Sequence, residues 1–223
     1  MRPYTLLSCA ISIDGYLDDA SERRLLLSND ADFDEIDQVR AGCDAIMVGA
    51  GTIRSDDPRL LVRSSARRAA RVGRGLPPSP VRVTVTRSGD LPSSSQFFST
   101  AGAESLVYSD SAVVSALTAR LAPATVVDVG SPVVLASVLE DLATRGVRRL
   151  LVEGGSALLG AFVRAELADE LRLAVAPVLV GDPTAPRFLP PGPYPSARVR
   201  LESCVNLGDV AVLTYALSDR FVS

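Results

Sequence analysis

Apolar positions along this chain fall into two patterns: short continuous runs of strand length, and stretches where they recur every three or four residues. Tyr4 to Ile13 is a mostly apolar run stopped by Asp14-Gly15, and it reads as a buried strand. Ser28-Asn29-Asp30 is a helix start signal, after which Phe33, Ile36, Val39 and Arg40 recur at helical spacing until Gly42. Ala45 to Val48 reads as a second buried strand, closed by Gly49-Ala50-Gly51-Thr52. Residues 57–80 carry four prolines and six arginines and are expected to form a long loop with a short helix in its middle. Val81 to Thr86 alternates like a strand, Ser105 to Tyr108 reads as another, Val113 to Leu121 as a helix and Thr125 to Val129 as a strand. Ser131-Pro132 supplies a cap and a first-turn proline for a helix over Val133 to Arg145, ended by Gly146. Arg149 to Glu153 is a buried strand running into Gly154-Gly155-Ser156 and a helix over Ala157 to Ala165. The tail (Glu170 to Val180, Val199 to Val205, Ala211 to Leu217) is strand-rich with Pro and Gly connections.

Strands alternating with helices up to residue 165 predict an α/β fold with a largely parallel central sheet flanked by helices, followed by antiparallel C-terminal strands. There is no internal repeat, and no linker separates two cores. One domain over residues 1–223 is therefore expected.

Composition narrows the chemistry. The chain has no histidine, and all 23 of its basic residues are arginine. A Ser-His-Asp triad, a His-ligated metal, a phosphate loop with its lysine and a Schiff-base lysine are all excluded, and no metal is expected. The net charge of −3 implies no nucleic-acid surface. No run approaches the roughly 20 apolar residues of a membrane helix, and the N-terminal run has no cleavage site after it. A cytoplasmic protein is expected. Cys9, Cys43 and Cys204 each sit in or beside an apolar run and read as buried small hydrophobes in a reducing compartment.

Two glycine turns follow buried strands, Gly49-Ala50-Gly51-Thr52 and Glu153-Gly154-Gly155-Ser156. Glycines let backbone approach a ligand closely, and free N–H groups at a helix start favour phosphate. In open α/β sheets ligands sit beyond the carboxyl ends of strands. Each turn also has a plain structural reading, as does Asp56-Asp57-Pro58 as a capped turn. The basic run Arg63 to Arg74 reads as a solvated, mobile face.

Taken in order, these segments resemble one family. Ser12-Ile13-Asp14-Gly15, Val39 to Thr52, Asp56 to Arg63, Leu151 to Leu158, Ala168 to Leu171 and Ala176 to Gly181 together are similar to the riboflavin-biosynthesis pyrimidine reductases, over nearly the whole chain. The resemblance implies a dihydrofolate-reductase-like fold, NADPH as cofactor and a homodimer. It also implies reduction of the ribosylamino side chain of a phosphorylated pyrimidine to a ribitylamino chain. Relatives often carry an N-terminal deaminase, which is not expected here. By the resemblance, Ala10, Ser12, Thr52 and Asp56 match cofactor-contacting positions. Gly154, Gly155, Ser156, Ala157, Leu158, Leu159, Gly160 and Ala161 look like the pyrophosphate-binding turn and helix. Arg40, Leu60, Arg63 and Glu153 match positions that contact substrate. The chemistry agrees, since Arg63 offers a planar fork to a phosphate and Glu153 can accept from amino groups on a pyrimidine edge. With no His or Lys, Asp56 and Glu153 are the candidate catalytic groups, beside another carboxyl, a tyrosine or water.

Three positions depart from the family pattern. Ser8 stands where many members have lysine, Arg23-Arg24-Leu25-Leu26 replaces a serine-x-tryptophan element on the substrate side, and Thr86-Arg87 replaces Asp-Ser. Arg87 can grip the 2′-phosphate of NADPH. The substrate-side changes leave open a reductase of a pterin or a secondary-metabolite precursor, and a non-catalytic nucleotide-binding protein is a further reading.

Overall fold

The computed structural model describes residues 1–21 and 23–221. By backbone contacts the chain divides into two compact units, Met1–Pro3 with Asp37–Leu151, and Tyr4–Ile36 with the chain from Val152 onward. The division falls inside helix α1 (Asp30–Ala41) and strand β6 (Arg149–Glu153).

In the first unit the strands are β2 (Ala45–Gly49), β3 (Val81–Thr86), β4 (Ser105–Ser109), β5 (Thr125–Asp128) and the start of β6, hydrogen-bonded in the order β5-β4-β3-β2-β6. β2, β3, β4 and β5 pair parallel. Strands buried on both faces need apolar side chains at every position rather than at every second one, and Ala45 to Val48 accordingly has no exposed residue. The connecting helices are α2 (Ala50–Asp56), α3 (Ser65–Gly73), α4 (Gln96–Ser99), α5 (Val114–Leu121) and α6 (Leu135–Thr144). α6 packs Val138, Leu139 and Leu142 inward, and its Asp141 accepts a 2.7 Å hydrogen bond from the buried Tyr108 hydroxyl of β4. Burial and that carboxylate push the phenol's pKa well above its ordinary value.

The second unit orders its strands β1 (Tyr4–Ser12), β7 (Glu170–Ala176), β9 (Val210–Ala216) and β8 (Arg200–Leu207). β1 and β7 run parallel, while β7–β9 and β9–β8 are antiparallel. Helix α7 (Ser156–Arg164) follows the tip of β6. The first turns of α1 are tied to β7 through Arg172, whose Nη2 donates to Asp32 Oδ1 and Glu35 Oε2, both at 2.5 Å. The expected fold class, parallel strands with helices and then antiparallel strands, is the one observed.

Several expectations change. Ser131-Pro132 does not cap α6, because Val134 is still extended (φ −111°, ψ 121°) and the helix begins at Leu135. β7 stops at Ala176, and residues 177–181 leave the strand to meet Asp14. α2 and α4 lie where no helix was expected, whereas the long loop does contain its short helix, α3. The arginine run is not wholly solvated. Arg71 is 1% exposed and donates to the carbonyls of Pro77, Ala41 and Cys43 at 2.7–2.9 Å. Cys9 and Cys43 are buried but Cys204, on the edge strand β8, is exposed. No helix among the described residues is long and apolar enough to cross a membrane.

Candidate active site

The first unit carries Arg40, Thr52, Asp56, Leu60, Arg63 and Arg87. Gly49 caps α2 in an extended conformation (φ −73°, ψ 155°), and no side chain caps the helix. A Cβ on Gly51 would meet only an Arg54 Nη at 3.9 Å, so no packing demands glycine there and the first turn has room beside it. Thr52, in that turn, is half-buried, as is Asp56 at the other end, where it accepts 2.6 Å from Ser55 Oγ. β2 and β3 are in register with Gly49 beside Val85, so the α2 turn and Arg87 lie at the same carboxyl edge of the parallel strands. Arg87 is exposed and its guanidinium makes no hydrogen bond or ion pair among the described residues.

Between α2 and α3 the chain forms a strap, residues 57–64. Asp57 (φ 44°) and Leu60 (φ 51°) both sit in the left-handed region, and Leu60 is 3% exposed. For a bulky residue this conformation costs about 1–3 kcal/mol, so the surroundings must impose it. One anchor is the buried carboxylate of Asp37 in α1, which accepts from Arg63 N (2.5 Å), Ser64 N (3.1 Å) and Arg67 Nη1 (3.0 Å). Burial alone would raise its pKa, but those two amides and the guanidinium outweigh it and hold the carboxyl below its usual range. Arg63 itself is exposed, and Arg40 is half-buried in the last turn of α1.

The second unit carries Ala10, Ser12 and the run from Glu153 to Ala161. Ala10 is half-buried on β1. Ser12 Oγ donates to Asp14 Oδ1 (2.6 Å) and accepts from Tyr16 N (2.9 Å), so its hydroxyl both donates and accepts within the turn. Asp14 also accepts from Val180 N and, at 2.7 Å, from Gly181 N. The Ser12 hydroxyl and these amides bring its pKa down to about 2. Asp14 thus fastens the loop after β1 to the loop after β7, a link between residues 166 or 167 positions apart.

Glu153 stands half-buried at the tip of β6. Gly154 and Gly155 follow with φ of 66° and 80°, a pair of conformations that glycine adopts at little cost. They turn the chain into α7, which has neither a side-chain cap nor an acidic residue in its first turn. Uncapped first-turn amides and the positive end of the helix dipole suit an anion. Further along, Leu159 and Gly160 are buried, and a Cβ on Gly160 would lie 2.8 Å from Pro190 Cδ and 3.0 Å from Tyr194 Oη. An open groove of about 420 Å³ lies in the same unit, lined by Asp19, Ser21, Leu25, Val178 to Val180 and Asp182. Leu25 belongs to the segment that departs from the family pattern.

Sequence reasoning missed the Arg172–Asp32–Glu35 cluster, in which Arg172 and Asp32 are buried, and the Asp37 anchor, because each joins residues far apart and neither has a local signature. Arg172 is the register partner of Ser8, beside Cys9, whose thiol is pushed up to about 12 by burial even though the nearby guanidinium opposes the shift.

Comparison with known proteins places the chain in context. The family model for the RibD C-terminal domain matches residues 3–213. A protein of Archaeoglobus fulgidus named 2,5-diamino-6-ribosylamino-4(3H)-pyrimidinone 5′-phosphate reductase is 34% identical over 96% of this chain and 98% of its own. One of Methanothermobacter thermautotrophicus with the same name is 32% identical over 97% and 99%. Among solved structures, a pyrimidine reductase-like protein of Corynebacterium diphtheriae superposes with a TM-score of 0.82, at 20% identity, over 96% of this chain and 91% of that one. The RibD protein of Acinetobacter baumannii gives 0.78 at 24% identity, over 96% and 58%. At these identities the structural likeness bears on the fold alone.

Proposed function

The chain belongs to the RibD C-terminal domain family, and from that premise we propose that it is an NADPH-dependent reductase, cytoplasmic and homodimeric, that converts the ribosylamino side chain of a phosphorylated pyrimidine to a ribitylamino chain. The observation that carries this reading is the pairing of near-full-length 34% identity to a reductase so named with uncapped glycine turns at strand tips. NADPH, when bound, would supply a hydride to C1′ of the substrate in its ring-opened imine form, whose nitrogen takes the accompanying proton.

The chain's own residues then bind, orient and move protons. We assign the pyrophosphate to the amides of the Gly154–Ala157 turn, with Leu158 to Ala161 continuing the helix behind it. The turn suits that anion because its two positive-φ glycines bring backbone close and the helix it opens has no acidic residue in its first turn. Thr52, Asp56, Ala10 and Ser12 complete the cofactor contacts, and Arg87 meets the 2′-phosphate, the group that distinguishes NADPH from NADH. Arg63 takes the substrate phosphate, with Arg40 and Leu60 beside the same ligand. Glu153 accepts from the amino groups of the base, and it or Asp56 delivers the proton that accompanies the hydride, since no imidazole or ammonium side chain exists in this chain. The dimer is assigned to the half-exposed apolar face of Leu173, Val175, Leu213 and Tyr215, continued by Leu201, 51% exposed, on β8. A purely monomeric species in sedimentation at micromolar concentration would count against that assignment.

The decisive experiment is NADPH oxidation with a panel of phosphorylated ribosylaminopyrimidines and of pterins. Turnover of the pyrimidines alone is the expected result. Turnover of pterins alone would favour the second reading, which the Ser8 and Arg23-Arg24 departures leave open. NADPH binding with no turnover would point to a non-catalytic protein.

A further inference from the structure

The strap of residues 57–64 is held at its Asp37 end through backbone amides; at its other end it is gripped by Gln96, at the first position of the four-residue helix α4. Gln96 Nε2 donates to Asp57 Oδ2 (3.1 Å) and to the Asp57 carbonyl (3.2 Å), while Gln96 Oε1 accepts from Arg59 Nε at 2.5 Å. Its backbone N–H donates to Asp57 Oδ1 at 2.6 Å. These contacts span 37–39 residues of sequence. The amide can face only one way, because its NH₂ meets two acceptors and its oxygen meets a guanidinium donor. The segment so gripped contains two left-handed non-glycine residues, Asp57 and Leu60, and it lies almost wholly within the family-like stretch Asp56 to Arg63. Strained backbone persists only where its surroundings over-determine it.

We propose that Gln96 is a positioning residue for the reductase, a latch that holds the strap in its strained path so that Leu60 and Arg63 stand where the phosphorylated substrate needs them. The assignment rests on the function proposed above. Gln96 touches neither ligand. It acts through Asp57 and Arg59, and a small displacement of a phosphate-binding residue is enough to weaken productive binding.

The test exploits the polarity of the amide. Gln96→Glu keeps the length and the Arg59 contact but sets an oxygen against the Asp57 carboxylate. Asp57→Asn added to Gln96→Glu restores a donor–acceptor pair, and asparagine tolerates the left-handed conformation. Substrate KM is expected to rise about tenfold in Gln96→Glu with kcat changed less than twofold, and the double variant regains at least threefold. An unchanged KM, or a double variant no better than the single one, would overturn the proposal. Should Gln96→Glu not fold, Gln96→Met removes the latch without adding charge, and its KM must rise likewise. If the unaltered protein reduces none of the pyrimidines, the functional reading fails separately, and the latch is judged by amide hydrogen exchange over residues 59–63. Exchange there is expected to be at least tenfold faster in Gln96→Glu and slowed again in the double variant; identical rates in all three proteins would refute it.

Discussion

Replacing Gly160 by alanine sets two effects of opposite sign against each other. In the interior of α7 the exchange relieves backbone entropy and gains up to about 1 kcal/mol of helix propensity. The new methyl, however, would lie 2.8 Å from Pro190 Cδ, 3.1 Å from Pro190 Cγ and 3.0 Å from Tyr194 Oη. Carbon atoms pack at about 3.5–4.0 Å, so the two surfaces must part by roughly 0.7 Å or more. Neither neighbour yields easily. The proline ring is rigid, and Tyr194 Oη is pinned by donating to the Pro190 carbonyl (2.7 Å) and accepting from Arg164 Nη1 (2.8 Å), with that guanidinium stacked 5.1 Å over its ring. Overpacking of this kind costs about 1–3 kcal/mol, which exceeds the propensity gain. A net loss of about 1–2 kcal/mol is expected, a fall in Tm of about 2–8 °C for a chain of this size. Gly51→Ala is the control, since its methyl meets only a flexible Arg54 Nη at 3.9 Å; it should leave Tm unchanged or slightly raised. Paired thermal melts decide the matter, and a Gly160→Ala protein as stable as the original would refute the steric argument.

Arg87→Ala should weaken NADPH about tenfold, the loss of a charge-assisted contact, and leave NADH almost unaffected; fluorescence titration with both dinucleotides checks it, and equal losses would make Arg87 structural. Glu153→Gln should preserve folding and NADPH affinity while turnover falls by roughly a hundredfold or more, read by cofactor titration beside steady-state kinetics on one preparation. Asp37→Asn should destabilise by more than about 1 kcal/mol at pH 7 by weakening bonds to buried donors, and it should flatten the acid side of the stability curve. The sign follows from the depressed pKa of Asp37: its stabilisation is fully present above the unfolded carboxyl's value near 3.9 and is lost as pH falls through the lower folded value. Melts at pH 3 and pH 6 should therefore differ less in the variant than in the original protein.

The strands were legible because burial on both faces writes itself into the sequence as continuous apolar runs, as in Ala45 to Val48 and Leu150 to Val152. Helix edges were less so. Ser131-Pro132 carries the chemistry of a helix start, yet Val133 and Val134 are β-branched, and the helix waits for Leu135. α2 was hidden in a Gly-Ala-Gly-Thr stretch of poor propensity; it buries Ile53 to 1% exposure, so tertiary packing stabilises it where local preference does not. Candidate ligand-binding positions at strand tips were accessible to sequence reasoning, since glycine turns and terminal carboxylates are local signals. What supports them was not. Gln96, Asp37 and Arg172 act across 26 to 140 residues, and nothing near them in the chain marks the partner.

The arginines show why composition alone could not separate support from function. Without lysine, every cation that the fold buries must be a guanidinium, and a buried guanidinium is tolerated only when several acceptors surround it. Arg71 meets three carbonyls, Arg82 two carbonyls and the Phe97 ring, and Arg172 two carboxylates. For Arg71 and Arg82 desolvation lowers the pKa, while the Asp32 and Glu35 carboxylates raise that of Arg172 against its burial. These three side chains are committed to architecture. Arg63 and Arg87 differ in being exposed at the strap and just past the end of β3, where an arriving phosphate has access to them. In a run such as Arg63 to Arg74 the sequence presents both kinds as one basic patch, and only burial distinguishes the arginine that holds the fold from the one placed to meet an anion.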